Sequence, residues 1–257
     1  MVSKWRRPQR SQNFLHDRRL VQRLVRQFHP AQNDTVLEIG PGNGIITQEL
    51  LGLVRDVIAV EIDSALCQLL LQKFDRQPGL LLFNADFLTF PLPSTPYSVF
   101  ANTPFAIEGE LIRKLLDGEN PPREAHLVVR QDAGERWVGH QKESCFSVLR
   151  KPWFDMVISH RFKRADFQPK PRVNAILITV VKRDTPLVGE SERPHYNRFI
   201  RQGFGGGRRI NTNLRPFLSS SQLKGFSQEH QFSDKAKPTD LSFHQWLQLF
   251  QLWQELS

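Results

Sequence analysis

Short apolar runs alternate with helical periodicities along most of the chain. Leu20, Val21, Leu24, Val25 and Phe28 recur at the spacing of one helix face, and Pro30 ends that pattern. "TVLEI" (35–39) then reads as a strand and "IITQELLGL" (45–53) as a helix. "VIAVEI" (57–62) is the next strand, followed by a helix over Ser64 to Phe74 with Ser64 as its N-cap. "LLLF" (80–83), "YSVFA" (97–101) and "AHLVVR" (125–130) continue the series. This alternation predicts an α/β fold, a doubly wound and mostly parallel sheet covered by helices. Two later runs, "WFDMVISHRF" and "NAILITVVK", are joined by the Pro-rich "RADFQPKPRV" and predict a hairpin at the sheet edge.

The texture changes near Thr185. Gly, Pro, Ser and polar residues now separate helical pieces such as "HYNRFIRQGF", "RRINTNLRPFL" and "SFHQWLQLFQLW". We expect two domains, 1–184 built on the sheet and 185–257 small and helical. The chain has 257 residues, 39% of them hydrophobic, enough for one sizeable core and a second smaller one. No apolar run reaches the length of a membrane span. Met1 to Arg10 is basic and polar with no hydrophobic segment behind it, which argues against a secretory signal. Cys67 and Cys145 have neither metal-ligand nor disulfide spacing and are expected as buried small hydrophobes in a reducing cytoplasm.

Charge changes the picture more. Lys plus Arg number 35 against 26 Asp plus Glu, a net +9, and the excess is clustered. Lys4, Arg6, Arg7, Arg10, Arg18, Arg19, Arg23 and Arg26 oppose only Asp17. Arg161, Lys163, Arg164, Lys170 and Arg172 form a second group, and Arg193, Arg198, Arg201, Arg208, Arg209 and Arg215 a third. Such patches attract phosphate backbones and release counterions on binding, so the expected partner is a nucleic acid. "GFGGGRR" (203–209) is either a loop that contacts phosphate or a break between two helices.

The candidate chemistry sits where strands end. "VLEIGPGNGIIT" places Gly40, Gly42 and Gly44 between the first strand and the first sheet-side helix, where backbone amides approach a ligand closely. The glycines alternate instead of following the G-x-G-x-x-G spacing of dinucleotide folds, and the strand carries an acid, Glu38. Glu61 ends the next strand, where a carboxylate accepts the hydroxyls of a ribose. Asp86, in "NADF", follows the one after and is placed to accept from an adenine amino group. Together they predict a site for an adenosine-containing cofactor at the carboxyl edge of the sheet, and S-adenosylmethionine fits best because nothing suggests a pyrophosphate cradle. The fourth strand then runs into Asn102-Thr103-Pro104-Phe105, an Asn, a rigid Pro and an exposed aromatic. The Asn102 side-chain oxygen and the carbonyl before Pro104 are two acceptors for the two hydrogens of an exocyclic amine. Drawing that amine toward tetrahedral geometry localises its lone pair. Phe105 then stacks on the base. No titratable base is required.

"SQNFL" (11–15), "EIGPGNG", "EID", "NAD", "NTPF" and "FQPKPRV", in this order, resemble the ribosomal RNA adenine N6-methyltransferases over nearly the whole chain. That family contains erythromycin-resistance enzymes acting on 23S RNA and housekeeping 16S dimethyladenosine transferases. "SQNF" and "LRKPWFDM" look closer to the resistance branch. The resemblance implies a class I methyltransferase (Rossmann-like) fold with an RNA-binding helical tail. It further implies cofactor contacts from Asn13, Leu15, Gly40, Glu61, Asp86 and Asn102, with Gly42 in the same loop. The expected activity is methyl transfer from S-adenosylmethionine to an adenine N6 in ribosomal RNA, 23S favoured, in the cytoplasm and by a monomer. Thr103 stands where the family usually has an aliphatic residue. The competing readings are a 16S enzyme of ribosome maturation, a DNA adenine methyltransferase, a non-catalytic nucleic-acid-binding relative and, against the glycine spacing, a nicotinamide oxidoreductase.

Overall fold

The structure, a computed structural model, describes residues 13–28, 34–207 and 209–256. The expected roles of Lys4, Arg6, Arg7, Arg10, Ser11, Gln12, Pro30 and Arg208 lie outside the described residues. Helix α1 (Arg18–Arg26) starts where the Asp17 carboxylate accepts from Arg19 N and Leu20 N, and it buries Leu20, Val21, Leu24 and Val25 as the spacing predicts. Ahead of it lies a two-residue strand, β1 (Phe14–Leu15).

The sheet follows from strands that are apolar on both faces, as central parallel strands must be when helices cover both sides. Its members are β2 (Thr35–Ile39), β3 (Asp56–Glu61), β4 (Leu80–Asn84), β5 (Tyr97–Asn102), β6 (Glu124–Arg130), β7 (Phe154–Arg161) and β9 (Ala175–Lys182). They lie in the order β4-β3-β2-β5-β6-β9-β7. The pairs from β4 to β6 are parallel, and β9 runs antiparallel to β6. β7 forms the far edge, so the expected hairpin is there. Strand β8 (Phe167–Gln168), inside its connection, pairs antiparallel with β1: Phe14 faces Gln168 and Leu15 faces Phe167. The "SQNFL" and "FQPKPRV" motifs are therefore one structural feature.

The order reverses beside β2, so β2 and β5 form the switch point at which open α/β sheets bind ligands. Helix α2 (Ile45–Leu50) is shorter than expected, because the chain leaves the helix in turns around Gly52. Helix α3 (Ser64–Lys73) is capped by Asp63, not Ser64: the Asp63 carboxylate accepts from Ala65 N at 2.9 Å and Leu66 N at 3.3 Å. Helix α4 (Glu108–Asp117), absent from the sequence reading, buries Leu111, Ile112, Leu115 and Leu116.

Contacts among the described residues divide the chain into two compact units: Met1–Gly134 with Ile158–Lys182, and Glu135–Val157 with Arg183–Ser257. The second unit thus begins again next to the expected boundary and also takes in an earlier segment. That segment holds the second half of α5 (Gln131–Val138), α6 (Cys145–Arg150) and the start of β7, and no pattern in the sequence sets it apart. Its tie is aromatic: Trp153 meets Tyr196 edge-on, and the Tyr196 hydroxyl donates to Val148 O at 2.8 Å. The helices from the tail are α7 (Arg193–Gly205), α8 (Ile210–Asn213), α9 (Ser220–Glu229) and α10 (Phe243–Glu255). Their core is Tyr196, Phe199, Trp246 and Phe250. Gly203 is required there, since a Cβ would lie 2.5 Å from the Trp246 ring. The first three residues of "GFGGGRR" end α7, and Asn213 Nδ2 ties α8 to that end by donating to Gly203 O (2.7 Å) and Gly207 O (3.2 Å).

Cys67 is buried and Cys145 only half-buried, both as free thiols. Some of the clustered arginines are engaged within the protein. Arg18 pairs with Glu49, Arg164 donates to Asn174, and Arg193 pairs with Glu190 and stacks on Trp153. Among the described residues no helix is long and apolar enough to cross a membrane.

Candidate active site

The ends of β2, β3, β4 and β5 open onto one cleft. Asn13, Gly40, Gly42, Glu61, Asp86, Asn102, Thr103, Pro104 and Phe105 all line it, whereas Gly44 of the glycine loop does not. Leu15 does not line it. Its side chain is 1% exposed, in the core beside α1, and its backbone pairs with Phe167.

The glycine loop is shaped by what touches it. Gly42 has φ +57°, and a Cβ there would lie 2.6 Å from the Phe14 ring, so only glycine fits. Glu61 is buried, and its carboxylate is held at both oxygens. Oε2 accepts from Gly42 N at 3.1 Å and Oε1 from Asp63 N at 2.9 Å. Burial raises the Glu61 pKa, and those two backbone donors oppose the rise. Each oxygen keeps a second lone pair, which suits a carboxylate that must also accept from a ligand hydroxyl. Behind the loop, Glu38 is 1% exposed, and burial pushes its pKa up to about 8 against the opposing effect of Thr47.

Asp86 opens a single turn after β4. Its Oδ1 accepts from Leu88 N at 2.9 Å, which leaves Oδ2 for a ligand. At the end of β5, Asn102 Nδ2 donates to Asn13 O at 2.8 Å. That bond fixes the amide and leaves its oxygen as an acceptor, the orientation an amine clamp needs. Thr103 is 3% exposed, its N–H donates to Val128 O at 3.3 Å, and its hydroxyl has no hydrogen-bond partner. Phe105 corrects one expectation: it is half-buried and packs against the core while one side lines the cleft. A ring held this way loses less freedom when a base stacks on it.

Sequence reasoning missed Phe14, Ile62, Phe87 and Ile107 as lining residues. Ile62 was signalled by position: it directly follows Glu61 and remains 43% exposed, an apolar side chain beside a ligand carboxylate. The donor set fits an adenosine-bearing ligand, with carboxylates from β3 and from the Asp86 turn, close-approach glycines and apolar walls. Among the described residues no group of His, Cys, Asp or Glu is arranged to hold a metal ion.

Residues 4–255 match the family model described as "Ribosomal RNA adenine dimethylase". The chain is 30% identical to a "Ribosomal RNA small subunit methyltransferase A" of Trichormus variabilis, covering 96% of this chain and 98% of the relative. It is 26% identical to the "Mycinamicin-resistance protein MyrB" of Micromonospora griseorubida, over 95% of this chain and 78% of that protein. Among solved structures, the 23S rRNA methyltransferase ErmE matches with a TM-score of 0.86 at 26% identity, covering 93% of this chain and 98% of that one.

Proposed function

The chain belongs to the ribosomal RNA adenine dimethylase family, and from that premise we propose that its target is N6 of an adenine in 23S ribosomal RNA, with macrolide-type antibiotic resistance as the consequence. The coarser statement is established: this is an S-adenosylmethionine-dependent ribosomal RNA adenine methyltransferase with the class I fold. The observation that carries the finer one is the likeness to the 23S enzyme ErmE, a TM-score of 0.86 over nearly the whole chain. The resistance name of MyrB supports the same branch. A second reading, 16S methylation during ribosome maturation, is favoured by the 30% identity to a small-subunit methyltransferase. The complete amine clamp beside intact Glu61 and Asp86 argues against a non-catalytic relative.

The bound cofactor supplies an electrophilic methyl group. Glu61 would accept from its ribose and Asp86 from its adenine amino group, and the loop from Gly40 to Gly44 would allow the close approach. The target adenine has to be single-stranded or flipped out of its stack to enter the cleft. Phe105 holds its face. Asn102 Oδ1 and the Thr103 carbonyl would accept the two amino hydrogens, which would localise the nitrogen lone pair out of the ring plane. The same two dipoles favour the positive charge that develops on the nitrogen. Binding of the RNA itself we assign to the helical segment 185–257 and the clustered arginines, in a protein that acts as a monomer in the cytoplasm.

Incubation with isotope-labelled S-adenosylmethionine and separated 16S and 23S RNAs tests the proposal. Label in an adenine of 23S RNA supports it. Label confined to 16S RNA overturns it in favour of the second reading, and label in neither supports the non-catalytic alternative.

A further inference from the structure

The turn that carries Asp86 into the cleft is one helical turn with a cap at each end. Thr89 N and Phe90 N donate to Asp86 O at 3.1 and 3.0 Å, and Phe90 N also reaches Phe87 O at 3.2 Å. The Asp86 carboxylate caps its start through Leu88 N. At its other end the carbonyls of Phe87, Leu88 and Phe90 converge on a single ammonium. Lys114 Nζ, on α4, donates to them at 2.6, 3.0 and 2.5 Å respectively. An ammonium has three protons, and all are used here. The cation also lies 4.8 Å from the centroid of the Phe87 ring, whose residue lines the cleft.

Helix α4 is fixed at its own start. Glu108 is 3% exposed and accepts from Arg130 N at 2.9 Å and Arg130 Nε at 2.6 Å. The helix begins directly after the clamp segment ending in Phe105 and Ile107. Lys114 therefore ties the turn bearing Asp86 to the helix that issues from the clamp. A lysine placed only for solubility points its ammonium at water. This one is two-thirds of the way along a helix and spends every proton on carbonyls of a loop 24 to 27 residues away.

We propose that Lys114 is a positioning residue of the reaction, holding the Asp86 turn where the cofactor adenine and the amine clamp are in register. The inference rests on the reading of Asp86 as an adenine contact. It assigns Lys114 an effect on cofactor affinity that its distance from the reacting atoms would not suggest.

The test uses the full chain with S-adenosylmethionine and the preferred RNA. Lys114→Met keeps the stem and removes the donors; it is expected to raise the KM for S-adenosylmethionine and the Kd for S-adenosylhomocysteine by about tenfold. kcat at saturating cofactor and the KM for RNA are expected to stay within about twofold. A merely structural lysine would instead lower the melting temperature and the active fraction, and so kcat, with an unchanged cofactor KM; that result overturns the proposal. Should Lys114→Met fail to fold, Lys114→Gln keeps two donors and is expected to shift the cofactor KM in the same sense but less. Wild-type cofactor affinity in a folded Lys114→Gln protein also overturns it. Asp86→Ala separates the two readings. If it leaves cofactor affinity unchanged, the Asp86 assignment has failed. If it weakens binding while Lys114→Met does not, only the Lys114 proposal has failed. In an Asp86→Ala background, Lys114→Met is expected to have no further effect on affinity.

Discussion

The two ends of the cleft are built on opposite principles. At the Glu61 end, both carboxylate oxygens already accept from the backbone, Gly42 N at 3.1 Å and Asp63 N at 2.9 Å, and the glycine loop is wedged against Phe14. At the Asn102 end the polar groups are half-spent. One side of the amide is tied to Asn13 O, its oxygen is left open, and the neighbouring Thr103 hydroxyl is buried without a partner. Satisfied groups hold a shape that a ligand can fit, so they serve binding. An acceptor left open in the cleft is free to meet an arriving amine, so in the proposed mechanism it serves the chemical step. Substitutions at the two ends should therefore separate into effects on affinity and effects on rate.

The largest effect is expected at Asn102. Asn102→Ala removes an acceptor that matters most as the amine becomes tetrahedral and positive. By analogy with deletion of one preorganised polar group at a reacting atom, the methyl-transfer rate should fall roughly 100-fold or more. RNA affinity, which we assign to the clustered arginines, should change little. Single-turnover rates alongside filter-binding titrations make the comparison. An Asn102→Ala protein that keeps its rate would refute the clamp, whatever the family membership.

Phe105 comes next. Base–aromatic stacking is worth roughly 1–3 kcal/mol, so Phe105→Ala should lose roughly five- to 150-fold in kcat/KM for RNA. Phe105→Tyr keeps the face and should stay active, provided the added hydroxyl finds room at the cleft side of a ring that packs on the core. Equal activity in Phe105→Ala and wild type would show that the base stacks elsewhere.

The contrast between the ends also explains what could be read from sequence. Gly40, Gly42, Glu61, Asp86 and Asn102 sit at consecutive strand ends, and strands announce themselves by local apolar runs, so the whole constellation was legible. What was not legible depends on contacts distant in sequence. Nothing near Leu15 says that Phe167 will pair with it and bury it, so a residue expected at the cofactor is in the core. The segment 135–157 joins the helical unit through Trp153 and Tyr196, partners separated by more than forty residues. Ser64 was read as a cap because serine favours that position, yet Asp63 one residue earlier has the extended backbone and the stronger acceptor. Helix α4 is different: Leu111, Ile112, Leu115 and Leu116 carry a local helical period that is legible in the sequence.

At the binding end the effects should be smaller. Glu61→Gln keeps one acceptor oxygen and replaces the other with a donor facing a backbone N–H. Asp86→Ala removes the proposed hydrogen bond to the adenine and leaves Leu88 N to water. A hydrogen bond of this kind contributes about 0.5–1.5 kcal/mol net, so cofactor affinity should fall roughly two- to tenfold in each. Calorimetric titration with S-adenosylhomocysteine measures it. Unchanged affinity in both would move the cofactor out of this end of the cleft, and a large loss of rate at saturating cofactor would abolish the distinction between the ends.

The smallest effect on the reaction is expected at Glu38, which supports the binding end from behind. Because its pKa is pushed up to about 8 by burial, the carboxyl is mostly neutral at pH 7, and Glu38→Gln exchanges one neutral polar group for another of similar size. Cofactor affinity at pH 6.5 should change by no more than about twofold. Stability should respond to pH instead. In the unfolded chain Glu38 ionises around its ordinary value of 4.5, whereas in the folded protein it holds its proton to about 8. Between those values the unfolded state binds fewer protons, so rising pH favours unfolding. The contribution is fully present below the unfolded value and is lost as the pH climbs through the folded one, with a limiting slope of about 1.4 kcal/mol per pH unit. Glu38→Gln has no such proton to lose. Urea melts at pH 5 and pH 8 should therefore show the variant gaining on wild type as the pH rises, the other titrating groups cancelling in the difference. A stability difference that is the same at both pH values would mean that Glu38 is ionised in the folded protein, and that the binding end rests on a buried charge instead of a buried acid.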